Sequence, residues 1–169
     1  MGEQTNLNRS EGIKELKALA EEIRIAMFCT KTNNIPLETR PMATQQVDEN
    51  GNIWFFSGAE SDKNLEIKAQ DKVQLIYANP SASKFLSVSG SASQSRDRKK
   101  IDELWNKMAE AWFKGGKDDP SLTVICVKPE EAYYWDTKHG KMISLLKIAA
   151  SAVTGMSKDD GVEGKITFK

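Results

Sequence analysis

The sequence predicts a mainly β protein of the α+β class: a closed or partly closed antiparallel barrel with helices at its rim. Three observations carry this. About six runs are rich in β-branched and aromatic residues, and the first three follow one another through short turns, which makes them antiparallel neighbours. Helical periodicity is confined to about three stretches, too few for a helix between every pair of strands as a parallel series requires. The chain has 169 residues, 39% hydrophobic and 28% charged, which suits one domain with its own core.

Taken in order, Ser10 caps a predicted helix from Glu11 to about Glu22, with Ile13, Leu16, Leu19 and Ile23 on one stripe. Ile23 to Thr30 is a first strand, apolar on both parities and therefore mostly buried. Arg40 to Val47 is a second, irregular at Pro41. Asp48-Glu49-Asn50-Gly51 is a hairpin turn whose Asn-Gly pair suits type I′. Asn52 to Ser57 is a third strand. Ser61 or Asp62 caps a short helix to about Gln70, and Lys72 to Asn79 is a fourth strand. Phe85 to Ser95 is a fifth, whose small residues predict close approach of a neighbouring backbone. Asp97 caps a helix carrying Ile101, Leu104, Trp105, Met108 and Trp112, closed by Gly115-Gly116. Leu122 to Val127 is a sixth strand, extended or followed by Tyr133-Tyr134-Trp135. The tail from Thr137 is polar around one apolar stretch, Met142 to Ala150, which the pattern leaves open between strand and helix.

Lys+Arg and Asp+Glu are 24 each, so the net charge is zero, and nucleic acid is not an expected partner. No apolar run has the roughly 18 residues of a membrane span, and the first twenty residues carry Glu3, Glu11 and Glu15 and no apolar stretch of a signal peptide, so the expected setting is the cytoplasm without membrane partners. Cys29 and Cys126 fall in apolar strands and read as buried thiols, with no metal cluster. His139 is the single His and reads as a solvated loop residue.

Three features remain as candidates for chemistry. Arg40-Pro41-Met42 opens a strand, where a guanidinium can present its planar fork to a phosphate or a polar ring edge. Phe55-Phe56-Ser57-Gly58 leads through a short loop into Ser61-Asp62-Lys63-Asn64, placing a lysine in the first turn of a helix whose free N–H groups suit an anion. The aromatic set Trp105, Trp112, Phe113, Tyr133, Tyr134 and Trp135 suits core or a subunit interface.

Arg40-Pro41-Met42, the Trp54 to Ser57 strand and Ser61-Asp62-Lys63-Asn64, in that order, resemble the pyridoxamine 5′-phosphate oxidase-like superfamily. Trp112-Phe113-Lys114-Gly115-Gly116-Lys117-Asp118-Asp119-Pro120, followed by Tyr134-Trp135-Asp136, resembles its general stress protein 26-like branch of flavin-binding split barrels. The likeness spans roughly residues 11 to 136, with 137–169 as a C-terminal extension of a single domain.

The resemblance implies a six-stranded antiparallel split β-barrel of Greek-key type with flanking helices. It also implies a homodimer that binds FMN, with FAD as an alternative, in clefts at the subunit interface. Arg40, Pro41 and Met42 would then run along the flavin ring, and Phe55, Phe56 and Ser57 would form the strand beside the ring and ribityl chain. Lys63, with Ser61 and Asn64, would hold the phosphate, and Trp105 or Trp112 would close the cleft from the partner subunit. The tail from Asp159 to Lys169 lacks the basic, Arg-containing segment with which oxidases of pyridoxine phosphate bind substrate. The expected function is therefore a flavin-binding protein of the general stress type, extending to an oxidoreductase on an unidentified small substrate. The alternatives are a pyridoxamine or pyridoxine 5′-phosphate oxidase, and a non-enzymatic flavin carrier, sensor or interaction module. No catalytic residue is singled out.

Overall fold

A computed structural model describes residues 3–4, 7, 9–137 and 161–168. Six antiparallel strands close into a barrel: β2 (Ile25–Thr30), β3 (Glu38–Val47), β4 (Ile53–Gly58), β5 (Lys72–Asn79), β6 (Lys84–Ser95) and β7 (Leu122–Thr137). Their order around the wall is β7-β4-β3-β2-β5-β6, and β6 pairs back onto β7 to complete the ring. Two further strands, β8 (Gly161–Thr167) and β1 (Glu3–Gln4), extend the sheet beyond the free half of β7, so the described residues hold eight strands where the sequence pattern gave six.

The 16-residue β7 makes this possible. One edge pairs with β6 along most of its length, while the other pairs first with β4 and then, from Glu131 onward, with β8. The predicted sixth strand and the Tyr133-Tyr134-Trp135 run are thus one element. The sheet shifts register between Ser89 and Gly90, opposite Pro129. There a Cβ on Gly90 would lie 2.2 Å from the Lys128 carbonyl oxygen, the close backbone approach expected of this small-residue strand.

Among the described residues, four α-helices surround the barrel: α1 (Arg9–Ile23), α2 (Asp62–Ala69), α3 (Arg98–Leu104) and α4 (Lys107–Trp112). Helix α1 buries Leu16 and Leu19 of its predicted stripe, together with Ala20, and leaves Ile13 and Ile23 half-buried. Arg24, expected inside the first strand, adopts φ 68° and returns its N–H to the Ala20 carbonyl, ending the helix there. Helix α2 lies across one end of the barrel, with Asn64 and Ile67 turned inward.

The single helix expected from Asp97 is two. Asp97 caps α3 as predicted, but the Asn106 side chain accepts from the N–H groups of Met108 and Ala109 and starts α4 afresh. The break rotates the predicted stripe apart. Ile101 and Leu104 are buried, whereas Trp112 is 79% exposed.

The β3–β4 turn also differs from type I′. Only Gly51 has positive φ, at 85°. Gly51 N–H bonds to the Asp48 carbonyl, and the Asp48 carboxylate accepts from Asn50 and Asn52 N–H, Asn52 Nδ2 and Trp54 Nε1. An acidic side chain that satisfies four donors favours this three-residue loop over the two-residue one.

Inside the barrel, Phe28, Phe55, Leu75, Tyr77, Val88 and Ile125 are fully buried, joined by Leu16 and Leu19 of α1. Ile166 of β8 belongs to the same cluster. A second cluster on the outer wall holds α3 against β4 and β7 through Ile101, Leu104, Leu122 and Val124, with Trp54, Phe56, Trp105 and Phe113 beside them. Among the described residues no helix is long and apolar enough to cross a membrane, and no cluster of three metal-ligating side chains occurs. His139 and the Met142 to Ala150 stretch lie outside the described residues.

Candidate functional site

A strand alternates its side chains, so those of consecutive residues point to opposite faces of the wall. On β4, Phe55 and Ser57 point inward while Trp54 and Phe56 face out. Phe55 meets Phe28 edge-to-face inside the barrel, ring centroids 5.4 Å apart. Phe56 packs edge-on against Trp105 at 6.0 Å and Phe113 at 6.2 Å. The same rule divides the β3 triplet. Arg40 lies opposite Phe28 and is turned toward the α2 end, Pro41 is exposed opposite Met27, and Met42 is buried in the core.

The α2 end gathers most of the predicted polar residues. Ser57 Oγ donates to Asn64 Oδ1 at 2.7 Å, and Asn64 Nδ2 donates to Thr123 Oγ1 at 3.1 Å. Ser57 and Ser61 hydroxyls are 3.3 Å apart. Asn64 is completely buried, so this network fastens α2 onto β4 and β7. Ser61 sits at the N-cap of α2 without a side-chain cap bond, and its carbonyl takes the N–H groups of Asn64 and Leu65.

Above that anchor sits a charged cluster. Arg40 Nη1 donates to Thr30 Oγ1 at 2.6 Å and Nη2 to Glu66 Oε2 at 2.9 Å. Thr30 Oγ1 itself donates to the same carboxylate oxygen at 2.5 Å, and Lys31 Nζ lies 3.3 Å from Glu66 Oε1. Lys31 adopts φ 52° at the end of β2, which turns the chain here. Burial raises the Glu66 carboxyl, but the bonds from Thr30, Lys31 and Arg40 outweigh it and hold the group below its ordinary range.

Lys63 is the exception in this cluster. It is half-buried on the first turn of α2, and among the described residues its ammonium makes no hydrogen bond or ion pair. Burial lowers its pKa, and the Arg40 charge lowers it further. A partly dehydrated cation beside a second one, at a helix start, is an arrangement that an anion relieves.

The outer wall next to Pro41 is apolar. Pro41, Met27, Ile76, Ser87 and Tyr133 lie in register across five strands, and Phe85 pairs with Trp135 in the next row. Ile76, Tyr77, Phe85, Leu86, Ser87 and Trp135 line a depression of about 500 Å³. Tyr133 and Trp135 stack at 6.4 Å.

The structure therefore brings Arg40, Ser57, Ser61, Lys63 and Asn64 to one end of the barrel and joins Phe56 to Trp105 on the outer wall. Trp112 stands apart on α4. Sequence reasoning passed over Glu66 and Thr30. Glu66 lies three residues after Lys63, a helical spacing that puts both on one face. Thr30 carries no such local signal, because only the pairing of β2 with β3 brings it to Arg40.

Residues 11–159 match the family described as pyridoxamine 5′-phosphate oxidase like. A solved structure described as a general stress protein 26 from Jannaschia sp. CCS1 is 26% identical with a TM-score of 0.79, covering 93% of this chain and 98% of that one. The general stress FMN/FAD binding protein from Xanthomonas citri is 27% identical with a TM-score of 0.64, covering 75% of this chain and 89% of its own. Protein bli-3 of Neurospora crassa is 26% identical over 161 residues, 89% of this chain and 77% of that protein.

Proposed function

The chain belongs to the pyridoxamine 5′-phosphate oxidase-like family, and on that premise we propose that it binds a flavin nucleotide, FMN in the first instance. The observation that carries the reading is the half-buried Lys63 ammonium, unpaired among the described residues, beside Arg40 at the start of α2. A flavin nucleotide needs a cation or helix start for its phosphate and a flat apolar surface for its ring. Lys63 and Arg40 supply the first. The outward side of the wall around Pro41, Met27 and Ile76 supplies the second. The flavin described for the Xanthomonas citri relative supports the same reading.

In this reading Lys63 holds the phosphate, Arg40 turns its remaining N–H donors toward the ligand, and Ser57 and Asn64 keep α2 in place. A second copy of the chain covers the exposed strip of Ile25, Met27, Ile76, Phe85 and Trp135, and its Trp112 closes the site. When bound, the flavin supplies hydride acceptance at its N5. The protein's part is to orient the ring and keep water from it. Both cysteines are free thiols, which suits a reducing cytoplasm.

The test is an absorption spectrum after incubation with FMN and desalting. Retained bands near about 370 and 450 nm support the reading, and a colourless protein refutes it. Lys63→Ala should weaken FMN about ten- to a hundredfold, the loss of one charge-assisted contact. Peroxide release from the loaded protein on adding pyridoxine or pyridoxamine phosphate would instead mark a vitamer oxidase.

A further inference from the structure

We propose that Lys63 is an acylation site: in the flavin-free chain its side-chain nitrogen takes the acyl group of a small acyl phosphate whose phosphate rests on Arg40. The inference rests on the phosphate-holding role given to these two residues under the flavin reading and adds a covalent reaction to it.

A lysine becomes a nucleophile by losing its proton, which burial or a neighbouring cation promotes and a carboxylate partner opposes. Lys31, Lys84, Lys100, Lys117 and Lys165 are half-buried, and each pairs with a carboxylate. Lys63 is half-buried too, but among the described residues it has no such partner. The other described lysines outside an ion pair are exposed, Lys68 and Lys99 among them. Burial favours the neutral amine of Lys63 and the Arg40 charge adds to it, against the smaller opposing pull of Asp62 and Glu66. Glu66 is already committed to Arg40 at 2.9 Å and to Lys31 at 3.3 Å.

The same corner seats the leaving group. Arg40 gives one N–H to Thr30 at 2.6 Å and one to Glu66 at 2.9 Å, which leaves its remaining donors for a phosphate. Its side chain is 23% exposed, so a small solute can reach them. An acyl phosphate carries its carbonyl carbon one oxygen from phosphorus, so a phosphate held on Arg40 brings that carbon to the neighbouring amine. In the reaction the lone pair of the unprotonated Lys63 Nζ forms a bond to the carbonyl carbon, and the bond from that carbon to the bridging oxygen breaks. The electron pair leaves with phosphate, and the nitrogen passes one proton to the departing phosphate or to water. No oxidant or reductant is needed. The product amide carries no charge, so the acylated chain loses the cation that a flavin phosphate requires.

Incubation of the whole, flavin-free chain with acetyl phosphate tests this, with acetylation of each lysine followed over time by peptide mass spectrometry. Lys63 should react about tenfold faster than the exposed Lys68 and Lys99, the reverse of their order of access. An excess of inorganic phosphate, against chloride of equal ionic strength, should slow Lys63 at least about fivefold and leave Lys68 and Lys99 unchanged. With p-nitrophenyl acetate, which carries no phosphate, the preference for Lys63 should drop to about threefold or less, because only the reactivity of the amine remains. Lys63 reacting no faster than Lys68 and Lys99, no protection by phosphate, or the same preference with both reagents would overturn the proposal. FMN retained by that same protein would then leave the flavin reading intact. A chain that fails to bind FMN, yet shows the Lys63 preference and its block by phosphate, would instead remove the flavin reading and leave the acylation site standing.

Discussion

A Cβ placed on Gly12 would lie 2.3 Å from Cγ2 of Ile166. Helix α1 and the C-terminal strand β8 meet at this point, and Ile166 is fully buried in the barrel cluster. Residues near the two ends of the chain therefore share one core contact that admits no side chain on the helix.

Gly12→Ala should lower stability by about 1–2 kcal/mol, although alanine favours helix by about 1 kcal/mol, because the β-branched Ile166 has little rotamer freedom to yield. In an Ile166→Ala background the same change should cost nothing or stabilise. Urea unfolding of the four proteins of this cycle measures the difference.

Asn64 bridges Ser57 and Thr123 within a buried network. Asn64→Leu leaves both hydroxyls short of a partner, at an expected cost of about 2–4 kcal/mol. Lys63→Ala, one residue away, should change stability by less than about 0.5 kcal/mol while losing flavin affinity. Parallel urea curves and flavin titrations separate the fastening residue from the binding one.

The two tryptophans of the α3–α4 region should behave oppositely. Trp105 packs on Phe56, so Trp105→Ala should cost about 2–3 kcal/mol. Trp112 is largely exposed, and Trp112→Ala should leave the unfolding midpoint nearly unchanged. A fall in flavin retention in the Trp112 variant alone, with dimer content followed by sedimentation, would show that this side chain closes the partner's site.

Burial pushes the Cys126 thiol up to about 11, with the Asp48 charge adding to it. An unfolded cysteine ionises near about 8.5–9. Above that pH the unfolded chain binds fewer protons than the folded one, so this contribution is full below about pH 9 and is lost as pH rises toward about 11. Stability should fall across that window, and Cys126→Ala should flatten the slope. At pH 8 the native thiol should resist a disulfide reagent that labels the unfolded chain.

The prediction of an antiparallel barrel rested on local signals that tertiary contacts did not overrule. Strand β5 has its predicted bounds, and Asp97 caps its helix, because alternation and capping are written in neighbouring residues. The helix through Trp112 failed where Asn106 offered an internal cap, a local signal that the apolar stripe masked. The type I′ turn failed because Asp48 found donors as far along as Trp54.

By itself, the sequence determined the barrel class, the α2 helix with Lys63 on its first turn and Arg40 near the start of a strand, each a consequence of periodicity or composition within a few residues. Only the tertiary structure decided which of these act together. Closing the barrel turned Met42 and Phe55 into the core, stood Arg40 against Glu66 and Thr30, and left Lys63 without a direct partner among the described residues. It also seated Ile166 under α1. The physical reason is that strand register and closure fix which side of the wall each residue faces and which distant groups it meets. Those pairings join residues tens of positions apart, where no local pattern reaches.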